Sequence, residues 1–284
     1  MVKQMTSMKV DLSIDFDFFI REEPIWDFGH RETMLFLNVN PLWILRYSQY
    51  DLVKETDIKT FADFEPFNIK LKLEEKGFKI TRQTECFVSE SHAGIVALKK
   101  NSSEMLISID AHHDMFGESK GDGVVIDGHK IDCGNWLNYF HDVGLYKNAL
   151  VVYPKWKNKE DDTDDKKLKF PFPIVKWSDL PKGDYEVQRI FICRSGCWVA
   201  PHHDEEFKML AFILSMNCKN RSYSIIGEID PMIERVVDWD AVKELKEQTD
   251  EMRKKFIENK DVCYNDTQTP KCLNTDETSE NKVK

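Results

Sequence analysis

The sequence predicts an α/β protein of three layers, a central, mostly parallel sheet between helices. Three observations lead there. Short apolar runs recur at residues 10–14, 85–88, 105–109, 149–153 and 189–193, each bounded by polar or turn residues. Runs of about four to seven residues rich in Ile, Val, Leu and Phe, without alternation, are the mark of strands buried on both faces. Segments with helical patterning lie between them, which is the α/β order of elements. Finally, two of the runs lead directly into clusters of Asp and His, and open α/β sheets collect their ligands at the carboxyl ends of strands.

In chain order, the first strand (10–14) ends in Asp15-Phe16-Asp17-Phe18-Phe19. Helices are expected at 40–47 and 67–76, then a strand at 85–88 that leads to Ser89-Glu90-Ser91-His92-Ala93-Gly94. The strand at 105–109 opens into Asp110-Ala111-His112-His113-Asp114, and a helix at 135–143 precedes the strand at 149–153. Residues 155–169 form a run of mixed charge that reads as a solvated loop or insertion. After the strand at 189–193 come helices at 205–216 and 240–259, the second a surface helix with Val242, Leu245, Met252 and Phe256 between charges. From residue 261 the chain turns polar and reads as a mobile tail, leaving 1–260 as one domain.

Composition narrows the class of function. The 284 residues include 50 acids against 40 bases, a net charge of −10, with 41% apolar and 12% aromatic residues, enough for a sizeable core. Phosphate contacts need clustered Lys and Arg, whereas the bases here are dispersed among acids, so nucleic acid is not expected as a partner. Neither a membrane span nor the apolar run of a signal peptide is present, and a cytoplasmic, membrane-free location follows. The seven cysteines include no Cys-x-x-Cys pair, which argues against a zinc ribbon or a redox dithiol.

The acids are unevenly placed. Residues 1–30 hold six acids and three bases, and residues 101–145 hold eight acids and two bases. Within 110–114, alternate positions can point the same way, so Asp110, His112 and Asp114 can converge while His113 faces elsewhere. Asp15 and Asp17, wrapped in Phe and Ile, would be costly to bury as unpaired charges, and a cation is the economical explanation. Oxygen and imidazole ligands with no cysteine suit manganese better than a soft metal.

The Asp-Ala-His-x-Asp string at 110–114, the Asp-x-Asp pair after a strand and a single His in a loop resemble the ligand set of the arginase and ureohydrolase superfamily. The resemblance implies an arginase-like fold and two manganese ions. His92, Asp110, Asp114 and Asp15 would hold one, and His112, Asp110, Asp15 and Asp17 the other. In the common arginase pattern the Asp-x-Asp strand follows the Asp-Ala-His-x-Asp strand; here it comes first, at the N-terminus. A closer resemblance, through Cys133-Gly134-Asn135-Trp136-Leu137 and Val151-Val152-Tyr153-Pro154-Lys155-Trp156, is to the arginase-like family that includes peptide arginases of ribosomal peptide natural-product pathways.

That resemblance implies a metal-dependent hydrolase in which two ions activate a shared water. An arginine residue of a precursor peptide would become ornithine with release of urea. Candidates for holding the guanidinium are Glu22, Glu23, Glu205 and Glu206, with Asn135 as a hydrogen-bonding or turn residue; candidates for moving a proton are His30, His129, His202 and His203. Alternatives are a zinc-dependent deacetylase of the same superfold, a free-arginine or agmatine ureohydrolase, and a binding module without turnover. Asp17 and Asp114 favour two ions over a mononuclear zinc site, which wants three protein ligands and an open position.

Overall fold

The computed structural model describes residues 7–21, 40–98, 103–117, 124–158, 171–219 and 223–265. Its contacts divide the chain into two units, Met1–Asp238 and Trp239–Lys284. The first unit is an α/β layer structure built on an eight-stranded sheet. The strands are β1 (Met8–Asp15), β2 (Phe78–Lys79), β3 (Glu85–Ser89), β4 (Met105–Ile109), β7 (Asn148–Tyr153), β8 (Ile174–Lys176), β9 (Tyr185–Cys193) and β10 (Ser224–Ile226). A separate antiparallel ribbon pairs β5 (Val124–Ile126) with β6 (His129–Ile131). The main sheet runs β10-β3-β9-β1-β4-β7-β8, with β2 pairing β9, and every described ladder in it is parallel.

Helices α1 (Asn40–Gln49), α2 (Leu52–Glu55), α3 (Ile58–Phe61), α4 (Ile69–Lys76), α5 (Trp136–Asp142) and α6 (Asp204–Ser215) belong to the first unit. The second holds α7 (Trp239–Asn265), so the helix continues beyond residue 261, where the sequence turns polar. Two apolar clusters occupy the two faces of the sheet. One joins Val10, Leu12 and Ile14 of β1 with Ile107 and Ile109 of β4, Leu73 of α4 and Leu210 and Leu214 of α6. The other joins Leu106, Val151 and Phe191 with Trp136, Leu137 and Phe140 of α5. Strand residues alternate between faces, so the apolar residues of β1 at 10, 12 and 14 line the first face and Asp11, Ser13 and Asp15 turn to the second.

Turn chemistry closes the layers. Helix α4 ends at Gly77, whose φ of 93° is the left-handed C-cap conformation and whose missing Cβ leaves room for the Gly183 carbonyl. The close approach brings Gly77 and Gly183 together through the bonds Gly183 N to Lys76 O and Tyr185 N to Gly77 O. That contact sets the start of β9, whose far end is where the sheet meets its polar residues.

The strands that order the site are the four neighbours β3, β9, β1 and β4. All run in one direction, so their carboxyl ends lie side by side. Residue 15 sits opposite Cys193, and Ile14 opposite both Ile109 and Ile192. The segments that follow these strands therefore start at one level.

Candidate metal centre

Six side chains meet at the carboxyl ends of β1, β3 and β4. Asp15 closes β1, and its Oδ1 accepts from the backbone N–H of Asp17, capping the turn Phe16–Phe19. Phe16, Phe18 and Phe19 are fully buried around Asp17, which is itself 0% exposed. His92 opens the 3-10 turn that follows β3. Asp110, His112 and Asp114 come from the loop after β4, where Asp110 Oδ1 accepts from the backbone N–H of His112 at 2.7 Å.

Two sub-clusters result. His92 Nδ1 lies 3.1 Å from Asp15 Oδ2, 3.0 Å from Asp110 Oδ2 and 3.0 Å from Asp114 Oδ2. His112 Nδ1 lies 2.9 Å from Asp17 Oδ2, and Asp17, Asp110 and His112 bring a ligand atom each within reach of one ion. Asp110 belongs to both groups. These are the six residues expected as ligands; Asp15, which the resemblance places on both sides, groups here with His92.

The chemistry of the donor set fits divalent cations. The His92 Nε2 sits 2.7 Å from Ser13 Oγ, which leaves Nδ1 as the ring atom facing three carboxylates. That Nδ1 and Asp110 Oδ2 are buried yet make no hydrogen bond of acceptable geometry. Buried polar atoms are almost always satisfied, so a nitrogen and carboxylate oxygens gathered about 3 Å apart point to an ion that would lie among them. Asp15, Asp17, Asp110 and Asp114 are all at most 5% exposed, and their ion pairs among the described residues are with histidine alone. An all-oxygen and imidazole set with no thiolate suits hard or borderline metals.

Electrostatics carry the same mark. Burial, then the Asp114 and Asp17 charges, push the Asp110 carboxyl well above the usual carboxylate range. Burial and the neighbouring Asp15 raise Asp17. Burial alone would lower the His92 ring, but the carboxylates of Asp110, Asp114 and Asp15 outweigh it and hold the ring well above its ordinary value. Asp114 goes the other way: burial would raise it, and the close contact and charge of His92 bring it below the ordinary value.

Several residues that hold this cluster were not expected in that role from the sequence. The Trp136 indole N–H donates to Asp114 Oδ2 at 2.5 Å, and its ring lies 4.6 Å from the His92 ring. Ser195, just after β9, donates from Oγ to Asp15 Oδ2 at 2.5 Å. Asp114 and Ser195 are both held at φ 52°, a left-handed conformation that side-chain-bearing residues enter at a cost. Two of the three such described residues thus sit on the candidate ligands, where strain of this kind gathers in functional sites. Ser195 is fixed in turn by its N–H to Glu90 O, while Glu90 pairs with Arg194 at 2.6 Å. Asp204 completes a buried ionic layer through Arg194 and Arg235.

The remaining sequence candidates lie apart from the six. Asn135 works on the backbone: Oδ1 accepts from Asp132 N and Nδ2 donates to Lys130 O, which shapes the turn before α5. His129 is exposed on β6 against the Tyr139 ring, and Glu205 and Glu206 are exposed on α6, Glu205 paired with Lys208 at 2.6 Å. His202 bonds Tyr47 and Thr56, and His203 bonds Thr56. His113 turns away from the cluster, its Nδ1 accepting from Met115 N at 2.8 Å. Glu22, Glu23, His30 and residues 159–169 of the charged run lie outside the described residues.

No protein-family model matches the chain, and no curated protein or solved structure matches it either. Among the described residues, no helix is long and apolar enough to cross a membrane.

Proposed function

We propose that this chain is a dinuclear, metal-dependent hydrolase of guanidinium groups, acting on arginine residues of a peptide to leave ornithine and urea. The observation that carries the metal reading is the pair of His and Asp sub-clusters sharing Asp110 at the carboxyl ends of β1, β3 and β4. What favours guanidinium as substrate is the resemblance of the Asp-Ala-His-x-Asp and Asp-x-Asp strings to the arginase superfamily, and the Asn135-Trp136 element points to its peptide-modifying branch.

His92, Asp15, Asp110 and Asp114 would hold one ion, and His112, Asp17 and Asp110 the other, with Asp15 within reach of both by the resemblance. Divalent ions in such a site act as Lewis acids and supply an activated water at neutral pH. The chain's own contribution is charge and placement. Four buried carboxylates make a negative field that favours two divalent cations. The His112 side chain is 20% exposed against 2% for His92, so its side is the one that solvent reaches and from which a substrate would approach. Trp198, its ring centroid 5.0 Å from that of His112, limits how the imidazole can turn.

The test uses full-length protein stripped of metal, reloaded with manganese and incubated with a peptide containing arginine. Each modified residue should lose the mass of CH2N2 as urea appears, and Asp17→Asn protein should lose the activity. Urea from free arginine with the peptide unchanged would reject the peptide substrate. Removal of acetyl groups from acetyl-lysine peptide, with arginine untouched, would favour the zinc deacetylase reading.

A further inference from the structure

The connection from β9 to α6 reaches the candidate ligands through its first residues. Ser195 Oγ donates to Asp15 Oδ2 at 2.5 Å, and the Trp198 ring lies 5.0 Å from that of His112. Ser195 does this at φ 52°, a conformation that its surroundings must impose on a residue with a side chain. Released from them, it would relax to the ordinary backbone regions and carry its hydroxyl away from Asp15. Whatever imposes the conformation is therefore part of how Asp15 is placed.

The main chain on either side of Ser195 is gripped from a distance. On one side, the Arg194 N–H donates to Ser89 O at 3.0 Å and the Ser195 N–H to Glu90 O at 3.1 Å. On the other, the Gly196 carbonyl accepts from the Trp43 indole N–H at 2.8 Å and from Arg235 Nη1 at 2.7 Å, and the Cys197 carbonyl accepts from Arg46 Nη1 at 2.5 Å. Gly196 itself has no room for a side chain, since a Cβ would fall on the Glu90 carboxylate and lie 3.2 Å from Arg235 Nη1.

Arg235, 39 residues further along the chain, joins the two ends of this connection. While Nη1 holds Gly196, its Nε and Nη2 donate to Oδ1 of Asp204, the first residue of α6, at 3.1 and 2.5 Å, and its backbone N–H donates to Asp204 Oδ2 at 2.8 Å. Asp204 also pairs with Arg194, and Arg194 with Glu90, so two guanidinium groups and two carboxylates balance one another, each side chain no more than 6% exposed. A guanidinium fixed in this way by a carboxylate is a rigid, fully charged donor to a carbonyl in a place that excludes water.

We infer that Arg235 is a positioning residue for the metal centre: by clamping Gly196 against Asp204 it keeps Ser195 left-handed and the Ser195 hydroxyl on Asp15. This rests on the metal reading above, and adds to it a residue that is not itself a candidate ligand. Outer groups that orient ligands are worth roughly 10–100-fold in metal affinity, and Arg235 exerts that effect through Ser195.

The experiment titrates full-length, metal-stripped protein with manganese alone and follows free ion by its electron paramagnetic resonance signal, so no turnover is needed. It compares wild type with Ser195→Ala, Arg235→Gln and the two combined, with a thermal melt of each. Each single variant should weaken manganese binding roughly 10–100-fold. The combined variant should be no weaker than the weaker single one, because both changes remove the same contact, whereas independent losses would multiply. If Arg235→Gln alone does not fold, Asp204→Asn with Arg235→Gln removes the opposed charges together and should show the same loss.

An Arg235 variant that melts lower but binds manganese as wild type does would overturn the inference, as would a Ser195→Ala protein of unchanged affinity or losses that multiply in the combined variant. In each case wild type still binds manganese and the metal reading stands. A wild-type protein that binds no manganese would remove both together.

Discussion

Asp110→Asn separates a ligand from a structural aspartate by reversing its effect on stability when metal is added. Asp110 is 1% exposed, its Oδ2 has no hydrogen-bond donor, and the charges of Asp114 and Asp17 bear on it. Asparagine keeps the shape and keeps Oδ1 as acceptor for the His112 N–H at 2.7 Å. It also removes one of the three carboxylates around His92 Nδ1, 3.0 Å away. Without metal, removing one of four crowded, buried carboxylates should stabilise the fold by about 1–2 kcal/mol, which for a unit of this size raises the melting temperature by roughly 2–8 °C. With metal at about a hundred times its dissociation constant, wild type gains about 2.7 kcal/mol and the variant, having lost the shared ligand, gains none. The order of melting should therefore invert between chelator and manganese, as read by a thermal melt of both proteins in both buffers. If Asp110→Asn melts below wild type in chelator, the carboxylate is holding the fold together and the metal reading of this residue fails.

Two other outcomes follow from buried groups elsewhere. Arg189 donates to Asp11 through Nε at 3.1 Å and through a second, shorter contact, while Tyr146 and Ser103 also donate to Asp11. Arg189→Leu should cost about 3–5 kcal/mol in urea unfolding by stranding that carboxylate, and adding Asp11→Asn should recover much of it; no recovery would mean that the loss is one of packing. Burial, with Arg235, lowers His202 to about 4, and burial, with His202, lowers His203 to about 3. Unfolded rings take up protons near 6.5 and the folded ones do not, so between those values the unfolded state binds more protons and stability falls as the pH is lowered, by up to about 1.4 kcal/mol per unit for each ring. Urea midpoints at pH 7 and pH 5 should drop further for wild type than for a His202→Gln, His203→Gln double variant, and equal drops would refute the assignment.

How much of this was legible in the sequence depends on range. The five apolar runs became β1, β3, β4, β7 and β9 because a strand buried on both faces writes itself as an unbroken apolar segment. Strands β2, β8 and β10, with two or three residues each, are too short to show a pattern. Asp15, Asp17, Asp110, His112 and Asp114 were legible because they stand at or just after the end of a strand, and His92 only through the family resemblance. Ser13, Ser195 and Trp136 were not, since a serine inside a strand and a tryptophan at a helix start look like packing. What makes them matter is a partner 79 residues away for Ser13 and 180 for Ser195. The Asn135 side chain illustrates the reverse case: a polar residue beside the motif that the turn itself consumes.

Strand β1 contains its own comparison. Asp11 and Asp15 lie on the same face of one strand, four residues apart, and both are 2% exposed. The fold answers the first with a guanidinium, a phenol and a hydroxyl, so that its charge is matched by protein cation and hydrogen bonds. It answers the second with Ser195 and an imidazole that two further aspartates share, and among the described residues no lysine or arginine approaches any of the four carboxylates there. A chain able to place an arginine on β9 against Asp11 could place one opposite Asp15, whose register partner is Cys193 on that same strand. Uncompensated buried carboxylates cost stability, and the two left-handed residues at Asp114 and Ser195 add to the cost. The carboxyl end of the sheet thus concentrates unmatched negative charge and backbone strain in one place while the charge of Asp11 further down the sheet is matched, which is the arrangement expected where the missing positive charge comes from outside the chain.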